Sequence, residues 1–408
     1  MLNPSPSVPY FEVIINGNTQ LPQYASSVQI IQKTNAHVIA LLNVVYIGRN
    51  IANSKQNTWN YLAEQTPIQI NYGQKPFFLY PFLGYIASYK MIRTGADPGY
   101  NGLTTTTVQY TITGTSQVMQ TTHNTSWKNT SPSTIAATIA AKNGFRAIIH
   151  NYSSAITYRL QNTSDFRFLS QLATEIGYRF YVDNTDLYFV NPQLILDQSN
   201  IRNTPSFWSY NQPGIYDTIR SFQPIVGTIT PDGGIVADRN VVGLNPSTSA
   251  LTQATAIANV NTLSGMPIAP TITKYYNAAP AESYYEAQQK ATADANNNLY
   301  WNTADTELYG DARVKPNMLV DLVGTALTTD ELGLWLVNSS SHELTMPPPS
   351  SSQVIGTYTV CTELGRDEIY TDTSSRLSQT NAVVQNVPAT LVGGTWRSTN
   401  IGATIYAT

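Results

Sequence analysis

The first 115 residues alternate apolar and polar positions in short runs, the pattern of β-strands with one buried face. Val108, Tyr110 and Ile112 alternate in one such run. Asn16-Gly17 separates two other extended runs and is the dipeptide that best supplies a tight hairpin turn. Short strands at hairpin spacing predict a β-barrel or β-sandwich over residues 1–115.

The two longest apolar runs, residues 37–47 and 76–86, are about half as long as the roughly 20 residues of a membrane helix. We interpret both as core strands and expect no membrane span. Residues 57–65 favour a helical turn between them. The first ten residues lack the charged and apolar regions of a secretory signal, so none is expected.

From residue 116 the apolar period changes to that of helices. Ser131 can cap a helix that Pro132 begins and Gly144 ends. A second helix is predicted from the cap Ser164 to Gly177, with its apolar residues within an arc of about 160°. These apolar residues are Phe166, Phe168, Leu169, Leu172, Ala173 and Ile176.

Strand signals follow the second helix, and Asp183-Asn184-Thr185-Asp186 predicts the turn between two of them. Residues 116–200 are therefore predicted to form a small α/β module, with two helices and a β-hairpin.

After residue 200 strand signals return. Residues 232–272 have no clear period and predict a long loop, and residues 282–299 predict a helix with an Ala-rich face. Three further strands are expected within 310–324, 332–344 and 356–367. The Ser-, Thr- and Asn-rich segment 371–408 has little to bury alone and predicts an extended arm, either mobile or held by a partner. The predicted fold class is mainly β (α+β).

Composition favours a protein with large interfaces. Charged residues make up only 12% of the chain, about half the usual share of roughly 25%, and the chain contains 26 Tyr. The net charge of −3, without a Lys/Arg cluster, argues against tight binding to nucleic acid. The single cysteine, Cys361, lies in a strand-like run and is expected to be a buried, inert thiol.

No recognised catalytic, metal-binding or nucleotide-binding motif occurs in the sequence. The histidines, His37, His123, His150 and His342, are scattered, and we interpret them as structural. Two carboxylates can hydrolyse glycans, but Asp183 and Asp186 fit a turn, Asp165 fits a helix dipole, and Glu175 fits a solvent face. The sequence thus predicts no enzyme activity, no cofactor and no metal.

Two distant segments carry a family resemblance. The first, residues 161–192, has Ser164, Asp165, Phe168, Leu169, Leu172, Ala173, Gly177, Tyr178 and Phe180. The second, residues 310–367, has Gly310, Asp311, Pro316, Asn317, Gly333, Trp335, Val337, His342 and Tyr358. With the Trp-Lys, helix, Gly-Phe run of residues 126–145, these segments resemble the phage late control protein D and tail hub family. That family includes the hub portion of type VI secretion spike proteins.

One position departs from the family pattern, since Asn317 stands where the family usually has Gly. Asn tolerates a left-handed conformation, so the turn can be kept. No oligosaccharide-binding fold, glycine-punctuated repeat or lysozyme-like segment is recognised after residue 370. The resemblance therefore implies a hub without its own needle or enzyme.

The resemblance implies a homotrimeric baseplate hub at the distal end of a phage tail. Each chain would supply two tube-like β-barrels, residues 1–115 and 201–370, with residues 116–200 outside the ring and residues 371–408 as the arm. Three chains would match the hexameric tail tube and let DNA pass during ejection without specific binding. Expected partners are the tube or distal tail protein and a tip, spike or fibre protein. The expected location is the virion tail tip, after synthesis in the host cytoplasm.

Two alternatives remain open at this stage. The first is a tail-tip peptidoglycan hydrolase, and the second is a receptor- or glycan-binding tip module, which the many Tyr and the polar arm would suit.

Overall fold

The computed structural model describes residues 8–19, 25–47, 63–75, 79–97, 103–152, 155–191, 206–211, 217–226, 239–244, 251–256, 274–276, 302–328, 331–347, 356–366, 389–392, 395–398 and 403–406. In this part of the chain, no helix is long and apolar enough to cross a membrane.

The first segment of the chain is a series of antiparallel strands, as its alternation predicts. The strands are Val8–Ile15 (β1), Asn18–Thr19 (β2), Ala25–Lys33 (β3), Ile39–Ile47 (β4), Pro67–Lys75 (β5), Leu79–Asp97 (β6) and Leu103–Gly114 (β7). The alternating residues Val108, Tyr110 and Ile112 are all buried. Asn16 and Gly17 adopt positive φ angles of 50° and 74° and join β1 to β2, which confirms the predicted hairpin.

The middle segment contains both predicted helices. Its elements are a 3₁₀ helix (Thr115–Gln120), β8 (Thr125–Thr130), α1 (Pro132–Asn143), β9 (Arg146–His150), β10 (Ile156–Gln161), α2 (Asp165–Ile176), β11 (Arg179–Asp183) and β12 (Asp186–Val190). Ser131 and Ser164 cap the helices, and Gly144 and Gly177 end them in the left-handed conformation, as predicted. β9 lies parallel to β12, and β11 and β12 form the predicted hairpin.

The last segment returns to strands. They are Ser206–Ser209 (β13), Ile219–Val226 (β14), Arg239–Leu244 (β15), Leu251–Ala256 (β16), Lys274–Tyr276 (β17), Asn302–Tyr309 (β18), Leu319–Val323 (β19), Gly333–Thr345 (β20), Thr357–Arg366 (β21), Ala389–Val392 (β22), Thr395–Ser398 (β23) and Ala403–Tyr406 (β24). The three strands expected between 310 and 367 are confirmed as β19, β20 and β21.

One 13-stranded sheet unites the first and last segments, in the order β14-β18-β21-β20-β3-β4-β7-β6-β5-β1-β2, with β19 beside β20 and β13 beside β19. The segments join where Ser339–Thr345 of β20 pairs antiparallel with Ser27–Lys33 of β3. Among the described residues the sheet does not close into a barrel. The division into two barrels therefore stays a prediction.

The sheet contains an internal repeat. β6 begins beside β5 and continues beside β7, and β20 likewise begins beside β19 and continues beside β21. The four-strand series β3-β4-β7-β6 thus corresponds to the series β14-β18-β21-β20. In each series the first two strands, β3 and β4 or β14 and β18, precede the other two in the chain. The other two, β6 and β7 or β20 and β21, are consecutive and antiparallel.

The two largest hydrophobic cores of the described residues lie in the sheet and in the α/β module. The large core takes buried residues from both series of the sheet, including Ile30, Leu42 and Val360. The second core lies in the α/β module and includes Ile139 of α1, Leu169 of α2 and Phe189 of β12.

The predicted loop 232–272 is corrected in part. Residues 239–244 and 251–256 are strands β15 and β16, which pair with each other and with β17 in a three-stranded sheet. Both strands are rich in the β-branched or small residues that tolerate pairing, and their amphipathic period is too weak to be recognised. The predicted helix 282–299, and residues 57–62 of the predicted helical turn, lie outside the described residues.

The arm 371–408 is not simply extended, because its described part contains β22, β23 and β24. β24 adds to β9 in parallel, so the chain's own module holds it. Trp396 of β23 is buried against Leu83 and Tyr85, and its backbone N–H donates to the Tyr85 hydroxyl at 2.7 Å. Long-range docking of this kind leaves no local pattern in the sequence.

Cys361 lies in β21, as expected, but it is exposed rather than buried. It belongs to the outward-facing positions of that strand, between the buried Val360 and Thr362. Partial burial and the nearby Glu307 raise the pKa of its thiol, which disfavours the reactive thiolate.

Candidate functional site: a buried junction and a polar sheet face

The first motif of the family resemblance is a packing unit. Ser164 accepts a hydrogen bond from the Arg167 N–H at 3.3 Å and so begins α2. The apolar motif residues Phe168, Leu169, Leu172, Ala173, Tyr178 and Phe180 are buried in the module core. The Tyr178 hydroxyl donates to the Asn151 carbonyl at 2.8 Å, and burial raises the pKa of this phenol to about 12.

Asp165 joins the two helices instead of forming a catalytic acid. Its side chain is 1% exposed and accepts hydrogen bonds from Asn143 at 3.0 Å, Gln161 at 2.7 Å and Lys142 at 3.0 Å. Burial alone would raise the pKa of Asp165, but these donors outweigh burial and lower it. The helix dipole that the sequence suggested is only part of its environment.

The second motif surrounds a buried histidine. The His342 Nε2–H donates to the Val314 carbonyl at 2.8 Å, and its Nδ1 accepts from the Tyr358 hydroxyl at 2.9 Å. Burial lowers the pKa of His342 to about 4, so it is neutral at physiological pH. Gly310 lies so close to Tyr358 that an added Cβ would be 2.1 Å from its Cδ1. Both ring nitrogens of His342 are thus hydrogen-bonded within the fold.

The remaining residues of the second motif shape turns and core. Asp311 accepts from the backbone N–H of Arg313 at 2.9 Å and pairs with its guanidinium. Asn317 follows Pro316 in the left-handed conformation at φ 64°, as predicted, and Gly333 also has a positive φ of 104°. Trp335 and Val337 are buried in the large core.

The structure brings the two motifs together at one buried junction between the module and the sheet. The Lys315 ammonium contacts the Asp183 carboxylate and lies 3.8 Å from the centre of the Tyr80 ring. Arg179 donates to Asn317 and to Asn338, each at 2.9 Å. Burial alone would lower the pKa of Lys315, but Asp183 and Tyr80 outweigh burial and raise it.

The hairpin turn after β11 completes the junction. The Asn184 side-chain amide donates to the Pro81 carbonyl at 2.8 Å and accepts from the Leu83 N–H at 2.9 Å. Asp186 pairs with Arg146; burial raises the pKa of Asp186 and the guanidinium opposes that shift. The sequence correctly assigned this segment to a turn, but it did not reveal its contacts.

The other three histidines also contact neighbouring residues of the fold. His37 contacts the Ser116 hydroxyl at 2.7 Å and stacks on Phe166 at a ring separation of 3.6 Å. Burial lowers the pKa of His37 to about 4. The Nδ1 of His150 accepts a hydrogen bond from the Asn191 N–H at 3.1 Å. The Nε2 of His123 lies 3.8 Å from the Asp165 carboxylate. Across the described ranges, no group of three or more His, Cys, Asp or Glu is placed to hold a metal.

The outward face of the sheet is mainly polar and runs across both strand series, although Ile39, Ile225 and Tyr309 are also exposed on it. Ser341 of β20 lies between Ile31 of β3 and Cys361 of β21, and Glu343 lies between Gln29 and Thr359. This polar face consists of the outward residues Gln29, Ile31, Lys33, Asn43, Gln109, Thr111, Asp305, Glu307, Ser339, Ser341, Glu343, Thr359, Cys361 and Glu363.

A shallow groove of about 470 Å³ crosses the polar face from β14 to β3. Asp305, Glu307 and Glu363 line it, with Lys33 at one side. Hydroxyl groups dominate the rest of the lining, including Ser221, Ser339 and Ser341. The charged groups of the groove are therefore mainly carboxylates, and its surface is weakly acidic.

The comparison with solved structures identifies the fold. The chain superposes on a tail protein from Neisseria meningitidis MC58 with a TM-score of 0.61, 10% identity, and coverage of 89% of this chain and 98% of that one. The 43 kDa tail protein of prophage MuSo2 from Shewanella oneidensis gives 0.60 at 10% identity, covering 88% and 98%. No protein-family model matches the chain, and no curated protein sequence matches it.

A secretion protein shares the same fold. An E. coli type VI secretion component, described as similar to phage T4 tail proteins gp27 and gp5, gives a TM-score of 0.52 at 9% identity. The alignment covers 88% of this chain and 78% of that protein. The structural neighbours are thus phage tail proteins and secretion spike proteins, and the chain has their mainly β fold.

Proposed function

We propose that the chain is a structural virion protein, the trimeric hub at the distal end of a phage tail. The internal repeat of the sheet carries this proposal. Three chains with two similar strand series each would present six similar series, which suits a hexameric tube on one side and a trimeric tip on the other. The tail-protein fold over most of the chain supports the same role.

The polar face would form part of the DNA channel. Tight binding to DNA requires Lys and Arg that neutralise phosphates. Asp305, Glu307, Glu343 and Glu363 instead give this face carboxylates, so DNA would be repelled weakly and could slide through. The α/β module would lie outside the ring, where it can meet tip, spike or fibre proteins.

Three of the acids that the sequence offered as candidates do not favour the hydrolase alternative. Asp165, Asp183 and Asp186 are each held in an ion pair that joins structural elements. The receptor-binding alternative rested on the many Tyr and the polar arm, and the buried Tyr72 and Tyr110 account for part of the Tyr content.

Two measurements test the hub role. The mass of the purified chain in solution should correspond to three copies, and an image of assembled particles should show it as a ring at the distal end of the tube. A stable monomer at high concentration together with density elsewhere in the particle would contradict the proposal. Zymography on cell walls should show no clearing; lysis lost on replacing Glu or Asp residues would support the hydrolase instead.

A further inference from the structure

The second half of β6 extends beyond the end of its neighbour β5. Residues 79–85 pair with β5 on one edge, and residues 84–97 pair with β7 on the other. Beyond Ile86, no described strand pairs with the edge that β5 occupied. The five residues Ser88–Ile92 are exposed on both faces of the strand, among them Tyr89 at 46%, Met91 at 45% and Ile92 at 42%.

Two of these side chains belong to the core side of the sheet. Tyr89 lies opposite Tyr110, and Met91 lies opposite Val108, while Tyr110 and Val108 are both fully buried. The core side of the sheet therefore continues onto exposed apolar side chains at this end. Apolar strand edges that remain exposed favour association with another chain.

The internal repeat shows what fills the equivalent position. β20 corresponds to β6, and its second half, Ser339–Thr345, pairs with β3, the first strand of the other series. The strand that corresponds to β3 is β14, and among the described strands β14 pairs only with β18. The chain thus contains one paired junction of this type, between β20 and β3. The two strands that would form a second junction, β6 and β14, are not paired with each other.

The edge at β14 matches the edge at β6. Phe222 lies on the core side, partly exposed, with its ring 6.0 Å from that of Trp335, and Ile225 is 56% exposed. Pro224 lies opposite Ala304 of β18. Because proline has no N–H, its backbone nitrogen suits the edge of β14 that lacks a neighbouring strand. An added strand can still bond to the backbone of Phe222 and of Val226.

We propose that the second half of β6 in one copy pairs with β14 of a second copy, so that head-to-tail pairing closes the ring. The inference rests on the proposed function and names the surfaces that assemble it. Successive strands along the eight from β14 to β6 are antiparallel. Because eight is even, copies related by rotation about an axis along the strands meet with β6 antiparallel to β14.

Charge supports this pairing. Lys90 lies on the outward face of β6, opposite Gln109, whereas Asp305 lies on the outward face of β18, beside Gln223 of β14. Pairing of β6 with β14 would place the Lys90 ammonium on the same outward face as the Asp305 carboxylate of the next copy. On the core side, Tyr89 and Met91 would be covered by the region of Phe222.

Cysteine pairs test the contact. In a Cys361→Ser background, Lys90→Cys or Ile92→Cys is combined with Ser221→Cys, Gln223→Cys or Ile225→Cys, because disulfides form only between directly facing positions. At least one pair should give a covalent trimer under mild oxidation, and each single variant should stay a monomer on a non-reducing gel. The control Lys90→Cys with Tyr158→Cys should not cross-link, since Tyr158 is 53% exposed on the module.

A second variant removes the apolar contact. Tyr89→Ser with Met91→Ser should weaken trimer formation at least tenfold with an unchanged unfolding midpoint of the dissociated chain, since both side chains are about half-exposed. The matched variant Tyr158→Ser with Leu160→Ser, at exposures of 53% and 54%, should leave assembly unchanged.

The outcomes separate the two proposals. A trimer in solution that gives no cross-link in any of the six pairs, and that tolerates the Tyr89 and Met91 replacements, overturns the strand pairing while the hub role stands. A chain that stays monomeric at every concentration contradicts both.

Discussion

The ammonium group of Lys315 contacts the carboxylate of Asp183, which lies 132 positions earlier in the chain. The two side chains are only 16% and 15% exposed, and they join the turn between β18 and β19 to the hairpin of the α/β module. The contact links the two segments that carry the family resemblance. It fixes the module on the sheet through a charge pair rather than through apolar packing alone.

Lys315→Met should therefore be strongly destabilising. The substitution leaves the Asp183 carboxylate buried without its cation, a change that costs roughly 3 kcal/mol. Chemical denaturation should show the loss, and the double variant Lys315→Met with Asp183→Asn should lose less than the sum of the single changes. Arg313→Met is the control, because its pair with Asp311 is 48% and 30% exposed and contributes about 1 kcal/mol or less. Equal effects at the two sites would contradict a special role for the junction.

His342 should make stability depend on pH. Burial lowers its pKa from 6.5 to about 4, so the unfolded chain takes up a proton at a higher pH than the folded chain. The contribution of neutral His342 is fully present above pH 6.5 and is lost as the pH falls toward 4. The loss is on the order of 3 kcal/mol for this residue.

Denaturation midpoints at several pH values between 4 and 7.5 measure this effect. His342→Gln should be less stable at pH 7.5 but should flatten the dependence below pH 6.5. His37 has a similarly lowered pKa and contributes in the same window, so His37→Gln provides the comparison. An unchanged pH profile in the His342 variant would show that the imidazole does not stay neutral.

The contact of Gly310 with Tyr358 predicts a steric effect. Gly310→Ala would place Cβ 2.1 Å from Tyr358 Cδ1, which forces the ring away and strains its hydrogen bond to His342. We expect a loss of about 1–3 kcal/mol in the free energy of unfolding. Gly17→Ala is the control: φ is +74° but nothing lies within 4 Å, so only backbone strain of about 1 kcal/mol is expected. If Gly310→Ala lowers the free energy of unfolding no more than Gly17→Ala does, the Tyr358 ring moves aside at no cost.

Sequence reasoning succeeded where the determining contacts are local. The caps Ser131 and Ser164, the left-handed Gly144 and Gly177, and the turn at Asn16 act within a few residues, so their patterns are readable. Alternation likewise identified the buried face of β7. The turn at Asp183 was also correct, because Asp and Asn favour turns for local reasons.

The features that the sequence did not reveal depend on distant partners. Lys315 and Asp183 are far apart in the chain, and no local pattern marks either one as buried. Cys361 stands in an apolar-looking run, yet the register of β21 turns it outward beside Ser341. The pairing of β24 with β9 of the same chain was not foreseen for the same reason, since the sequence offered only a mobile or a partner-held arm over 371–408.

The docked arm leads to the last prediction. β24 covers the edge of β9, Trp396 is 5% exposed against Leu83 and Tyr85, and the Arg397 side chain packs over Gly144. Trp396→Ala should cost about 3 kcal/mol or more, because it empties a buried aromatic site between the arm and β6. Amide hydrogen exchange should then accelerate at the β9 residues Ala147–His150, which lose β24 when the arm detaches, whereas exchange in β4 should stay slow. The conservative Trp396→Phe should retain most of the protection. Unchanged exchange at β9 in the Trp396→Ala variant would show that β24 binds independently of the Trp396 contact.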